Sequence, residues 1–206
     1  MKGDNRSFWQ RMSLIYTKFM SGADPTYAAL CEMIRPQLGS DMEVLELACG
    51  TGQLTYPLAG AVKHWVATDF STAMLLRARG KGPWPASLSF EPQDATAIGY
   101  PDASFDVVVM ANALHIMPHP ELALAEVKRV LRPGGVLFAP TFVKGVSAGN
   151  KLRTRLIRLM GLKVFHNYDA GGLCETVTAA GFDITARETL GTSLMPLCYV
   201  KAVKGA

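Results

Sequence analysis

A chain of 206 residues, 49% hydrophobic and with a net charge of +4, is long enough to bury a full core as one domain and is not a generally basic protein. Its four cysteines, Cys31, Cys49, Cys174 and Cys198, lack both zinc-site spacing and a disulfide pattern, so reduced thiols in a cytoplasmic protein are expected. The opening MKGDNRSFW carries an acid and no apolar h-region, and no apolar run nears the ~20 residues of a bilayer span, which argues against a leader and an anchor.

In chain order, Phe8, Trp9, Met12, Ile15, Tyr16, Phe19 and Met20 recur at helical spacing and predict an N-terminal amphipathic helix. Pro25 opens a second helix that should end near Pro36 and Gly39. Strands are then expected near 43–48, 63–69, 87–91, 105–111 and 135–141, with helices near 52–60, 71–80 and 119–131. This alternation predicts an α/β fold, a parallel sheet with helices on both faces. Ligands of such sheets bind outside the carboxyl ends of the strands, and those ends carry Glu46, Asp69, Asp94 and Asn112. A helix near 169–180 should stop at Gly181, and the apolar runs FDITARETL and LMPLCYVKAV read as a closing hairpin. No repeat, low-complexity tract or long linker divides the chain.

The segment Val44 to Thr55, VLELACGTGQLT, ends an apolar run in Glu46 and turns through Ala48, Gly50 and Gly52. Such a turn is expected to bring bare N–H groups and one carboxylate to a nucleotide-sized crevice. Asp69 closes the next run, VKHWVATD, at the ~20-residue spacing where a carboxylate meets ribose hydroxyls. The third glycine of a dinucleotide fingerprint is missing, because Thr55 stands in its place. Glu46 would repel a pyrophosphate and suit a ligand with an ammonium and a sulfonium, such as S-adenosylmethionine. For Asp69 and Asp94 the plain alternative is a cap on a helix or a turn.

These motifs resemble those of the class I S-adenosylmethionine-dependent methyltransferases, nearest the small-molecule ubiquinone/menaquinone branch. The resemblance is close from Met42 to Val143 and looser beyond. VLELACGTG looks like the glycine-rich first motif, with Ala48 where the first glycine usually stands. VATDFSTAML resembles the second, FEPQDATAI the third, SFDVVVMANALHIM the fourth strand and LRPGGVLF the turn into the fifth. The resemblance implies a Rossmann-like three-layer sandwich, a seven-stranded, mostly parallel sheet whose last strand is antiparallel, in a single domain spanning 1–206. It implies that Glu46, Ala48, Gly50 and Gly52 hold the amino-acid end of the cofactor. Asp69 would meet the ribose, and Met74, Asp94 and Ala95 the adenine, with Phe70 and Asn112 also binding the cofactor. The product would be S-adenosylhomocysteine. Residues 1–40 would form a helical lid, with Tyr16 (Tyr27 as alternate) on the methionine carboxylate.

The acceptor side is less defined. His115, three residues beyond Asn112, is the first candidate for a catalytic base, with His166 second; a histidine that packs and bonds its loop is the plainer reading. His115 and His119 have i,i+4 spacing, but Pro118 between them argues against a helix, and no metal site is expected. Between Lys144 and Phe165 lie six basic residues and no acid, which leaves the rest of the chain at −2. Residues 144–168 read as a substrate-capping insertion, or 144–165 as a surface for anionic lipid. With the Met- and Phe-rich start, this suggests a small apolar or amphipathic acceptor, methylated at O, N, S or C, and a monomer or homodimer. The alternatives are an NAD-dependent oxidoreductase, a nucleic-acid methyltransferase and a non-catalytic S-adenosylmethionine-binding module. Against nucleic acid, Ala111–Leu114 lacks the Asn/Asp-Pro-Pro-aromatic motif that holds a flipped base.

Overall fold

Alternation along five short strands builds two cores, one on each face of a single sheet. The computed structural model describes residues 5, 8–11, 24–144, 162–193 and 195–205. Its elements are α1 (Asp24–Ile34), β1 (Glu43–Glu46), α2 (Thr55–Leu58), β2 (His64–Asp69), α3 (Thr72–Arg79), β3 (Leu88–Pro92), β4 (Phe105–Val109), α4 (Pro120–Val130), β5 (Leu131–Phe138), β6 (Thr141–Phe142), α5 (Ala170–Ala179), β7 (Phe182–Thr192) and β8 (Met195–Lys204). Successive strand residues point to opposite faces. Val44, Trp65, Val107 and Val109 therefore pack with α1, α2 and α3, through Leu30, Ile34, Leu58 and Leu75. Leu45, Val66 and Val108 join Leu124, Val127, Leu173 and Val177 of α4 and α5. Helices cover both faces, which is the expected three-layer sandwich.

The strand order is β3-β2-β1-β4-β5-β8-β6, with β7 also on β8. Strands β1 to β5 pair in parallel, and β8 runs antiparallel to β5, β6 and β7. Eight strands stand where seven were expected. The fifth strand breaks at Ala139 and Pro140 and resumes as the two-residue β6, which continues along the same partner, β8.

Several boundaries moved for local reasons. Expected strand 43–48 ends at Glu46 because Ala48 turns into the left-handed region, φ 55°. The ladder nonetheless continues past the strand end, with Leu47 N–H donating to Val109 O and Cys49 N–H to Thr68 O. Expected strand 105–111 closes at Val109, ahead of Asn112 at φ 54°. The helix expected at 52–60 shrinks to α2 and a 3-10 turn, Ala59–Ala61, since Gly52 at φ 86° still belongs to the turn. Of the predicted N-terminal helix, residues 8–11 are helical and the remainder lies outside the described residues.

Candidate active site

The carboxyl ends of β1, β2, β3 and β4 open into one cavity. Ala48, Gly50, Asp69, Phe70, Met74, Asp94, Ala95 and Asn112 line it, all of them among the residues singled out from the sequence. The glycine turn is stitched to the end of β2. Asp69 accepts from Gly50 N–H at 2.9 Å through one oxygen and from Ser71 N–H at 2.8 Å through the other. Burial pushes the Asp69 carboxyl up to about 6, against the pull of those two N–H donors. Behind the turn, the Tyr56 ring fills the space where a Gly52 Cβ would stand, 2.5 Å away. That ring stacks on Trp84 at 4.4 Å, and Lys81 Nζ donates to Thr51 O at 2.6 Å.

Two expectations about the turn are corrected. Its N–H groups are not bare: Cys49 donates to Thr68 O, Gly50 to Asp69 and Gly52 to Cys49 O. The α2 helix that follows is only four residues long, so it offers little dipole to an anion. Glu46, expected at the crevice mouth, does not line the cavity. Its Oε2 accepts from Thr55 Oγ1 at 2.6 Å and Trp65 Nε1 at 2.9 Å, and the residue is 3% exposed. Burial raises its carboxyl to about 7, opposed by the Thr55 and Trp65 bonds and reinforced by the charge of Asp69. Gly52 likewise shapes the turn without lining the cavity.

Past β4, Asn112 is a junction. Its Nδ2 donates to Tyr27 Oη at 2.8 Å, its Oδ1 accepts from Phe142 N–H at 2.9 Å, and its own N–H donates to Pro140 O. Tyr27 thus braces the rim from behind and is not on the cavity wall. His115 is also off the wall. Its Nδ1 is buried with no hydrogen-bond partner, and desolvation lowers the ring to about 4, so it is neutral at pH 7 and poorly suited to act as a base. The His115 carbonyl accepts from the N–H groups of Phe165 and His166, so that stretch packs over it; His166 does not line the cavity either. Tyr16 and the basic stretch 145–161, with its lipid reading, lie outside the described residues.

Sequence reasoning missed several wall residues. Gln93 and Thr96 flank Asp94, whose Oδ1 accepts from Thr96 N–H and Oγ1; the local Asp-x-Thr turn was a readable signal. Asn5 and Leu122 had none. Trp9, Ile116, Met117 and Leu122 make the far half of the wall apolar, with His119 at its edge. Around the whole cavity stand two carboxylates, Asp69 and Asp94, and no lysine or arginine among the described lining residues. Among the described residues there is no helix able to cross a membrane and no group of three or more His, Cys, Asp or Glu placed to hold a metal.

The family model "Methyltransferase domain" matches residues 45–139, the stretch that builds this cavity. Over that stretch the chain is similar to methyltransferase domains. A demethylmenaquinone methyltransferase of Renibacterium salmoninarum is 40% identical over 99 residues, 48% of this chain and 40% of that protein. The chain therefore spans less than half the length of this curated relative. Magnesium protoporphyrin IX methyltransferase from Synechocystis, solved with bound S-adenosylhomocysteine, superposes with a TM-score of 0.69 at 18% identity, over 89% of this chain and 84% of that one. A Thermotoga maritima S-adenosylmethionine-dependent methyltransferase, described as a possible histamine N-methyltransferase, gives 0.74 at 20% identity, over 97% and 99%. Those two likenesses show the fold. The match does not favour the oxidoreductase and nucleic-acid alternatives.

Proposed function

We propose that the chain transfers the methyl group of S-adenosylmethionine to a small apolar or amphipathic acceptor. The observation that carries this reading is the charge of the cavity: two carboxylates, no lysine or arginine among the described lining residues, and a turn in which the N–H groups of Cys49, Gly50 and Gly52 already have acceptors. Such a wall repels phosphates and accepts a cationic ligand bearing hydroxyl and amino donors. When bound, the cofactor supplies an electrophilic methyl on a sulfonium, and the acceptor forms the new bond as the carbon–sulfur bond breaks.

The protein's part is positioning and exclusion of water. Alignment of this kind supplies roughly 7–11 kcal/mol in ideal cases. In this reading Asp69 accepts from the ribose hydroxyls, and the Gly50 and Ser71 N–H bonds that fix its orientation support the role. Met74, Phe70 and Ala95 form an apolar slot for a flat ring, with Asp94 at its edge. Glu46 acts from beneath, anchoring the turn through Thr55 and Trp65. Trp9, Ile116, Met117 and Leu122 receive the acceptor, as described parts of the lid 1–40 and of the rim. His119, with Nδ1 3.1 Å from Glu121 Oε1, is the titratable side chain on that half of the wall and replaces His115 as the group to receive a proton. Given the name of the Renibacterium relative, a demethylated quinone is the first acceptor to try.

Calorimetric titration tests the cofactor. S-adenosylmethionine and S-adenosylhomocysteine should bind with roughly micromolar Kd and NAD should not. Binding of NAD alone would overturn the reading. Methylated product from any quinone, phenol or amine acceptor would separate an enzyme from a binding module.

A further inference from the structure

Asn5 is a buried polar residue, 4% exposed, in a stretch of chain where nothing in the sequence marks it. Its Nδ2 donates to Lys163 O at 2.8 Å and to Ile116 O at 3.0 Å, and its Oδ1 accepts from Lys163 N–H at 2.9 Å. The side-chain amide thus pairs with both backbone groups of Lys163, as one rung of a β-ladder would, and keeps its second N–H for Ile116. The Asn5 carbonyl accepts from Trp9 N–H at 3.0 Å and so opens the helical turn 8–11. Asn5, Trp9 and Ile116 all line the cavity.

Three parts of the chain separated by 111 and 158 residues meet at this one amide. The strip 162–169 has no regular secondary structure. It is tied on one side by Phe165 and His166 N–H to His115 O, and to Lys144 N–H through Tyr168 O. Asn5 supplies further bonds to it at Lys163. Only an amide at this reach offers two donors and one acceptor: aspartate offers no donor and would set its oxygens against two carbonyls.

We propose that Asn5 is a positioning residue that fastens the acceptor-side wall of the cavity, holding Trp9 and the strip at Lys163 against the turn at Ile116. It controls how long a ligand stays. The inference rests on the methyl-transfer reading for the ligand chosen, S-adenosylhomocysteine.

The experiment compares wild type, Asn5→Ala, Asn5→Asp and Leu173→Ala by stopped-flow dissociation of S-adenosylhomocysteine, with melting temperatures alongside. Leu173→Ala weakens the core in α5, which contributes no cavity residue. The off-rate should rise roughly tenfold in both Asn5 variants, the factor expected for about one hydrogen bond, and stay at the wild-type value in Leu173→Ala. Hydrogen exchange at Lys163 N–H, which needs no ligand, should speed up in both Asn5 variants and not in the control. Off-rates that merely track melting temperature across all variants, or an unchanged Lys163 exchange rate, would overturn the proposal. A wild-type protein that binds no S-adenosylhomocysteine overturns the methyl-transfer reading instead, and Lys163 exchange then decides the fastening by itself.

Discussion

Glu46→Gln should change the pH dependence of stability more than stability itself. Glu46 sits under the glycine turn, 3% exposed, with neutral donors from Thr55 and Trp65 on one oxygen. Its carboxyl is raised from 4.5 to about 7, chiefly by burial. A raised acid binds more protons in the folded state than in the unfolded one, so stability falls as pH rises across that interval. The contribution is fully present below pH 4.5 and lost by about pH 7. At about 1.4 kcal/mol per pKa unit, the loss comes to about 3 kcal/mol, and almost complete burial leaves little solvent to screen it. Glutamine keeps an oxygen for Thr55 and Trp65 and cannot ionise. The amide adds its own offset, since an unpaired buried N–H costs roughly 1–3 kcal/mol, but that offset does not vary with pH. Asp69, raised to about 6, titrates in both proteins; its coupling to Glu46 alters its own titration in the variant without changing the sign of the difference. Urea unfolding at intervals between pH 5 and pH 8 therefore gives two curves whose separation changes by about 2–3 kcal/mol in favour of the variant. Parallel curves would refute the reasoning and mean that Glu46 is already ionised across this range in the folded protein, as it is in the unfolded one.

Four further outcomes follow from the same region. Asp69→Ala should weaken S-adenosylmethionine binding by about 1.5–3 kcal/mol, the range for hydrogen bonds to a charged group, and unchanged affinity by calorimetry would remove Asp69 from the ribose. In the wild type, affinity for S-adenosylhomocysteine should rise with pH through about 6, as the carboxyl becomes the acceptor, and level off above it. Ala48→Gly should stabilise by about 0.5–1 kcal/mol, because a left-handed alanine costs roughly 1–2 kcal/mol and glycine returns part of that as unfolded-state entropy; a lower denaturation midpoint would contradict it. Arg129 donates to Glu126, Asp102 and the carbonyls of Ile98 and Tyr100, pinning the loop after Asp94 onto α4. Arg129→Lys cannot reproduce that fork and should cost about 2 kcal/mol in urea unfolding.

What could be read from the sequence and what could not divides along the cavity itself. The half of the cavity proposed for adenosine comes from short local motifs, in which a glycine turn, a strand-end acid and an Asp-x-Thr turn each declare themselves within a few residues. Gly50, Asp69, Met74, Asp94 and Ala95 therefore stood out and now share one wall. Glu46 was misplaced although a signal existed. Along β1, Val44 and Leu45 pack on opposite faces, so Glu46 falls on the Val44 side, towards Trp65 and α2 and away from the cavity. A motif read as letters loses that alternation. His115 fared similarly: proximity in sequence to the fourth strand says nothing about which way a side chain leaves a 3-10 turn.

The half proposed for the acceptor has no local code because it is assembled from afar. Asn5, Trp9, Ile116, Leu122 and the backbone of Lys163 belong to four stretches of chain. Each contact across such distances depends on a few bonds rather than on a ladder, so small changes there can reshape the wall without disturbing the fold. The adenosine half is the opposite case, since its turn is tied into β2 and β4 through Asp69, Thr68 and Val109 and cannot shift without breaking strand ends. A chain built this way separates a fixed cofactor seat from an adjustable acceptor wall. On that argument, loosening the wall speeds entry and exit of S-adenosylhomocysteine alike, so substitutions at Trp9 or Leu122 should alter the KM for the acceptor while leaving the Kd for S-adenosylhomocysteine within about twofold, a split that calorimetry and steady-state rates on the same variants can measure. Equal losses in both would mean that the two halves move as one, and that the seat is not independent of its wall.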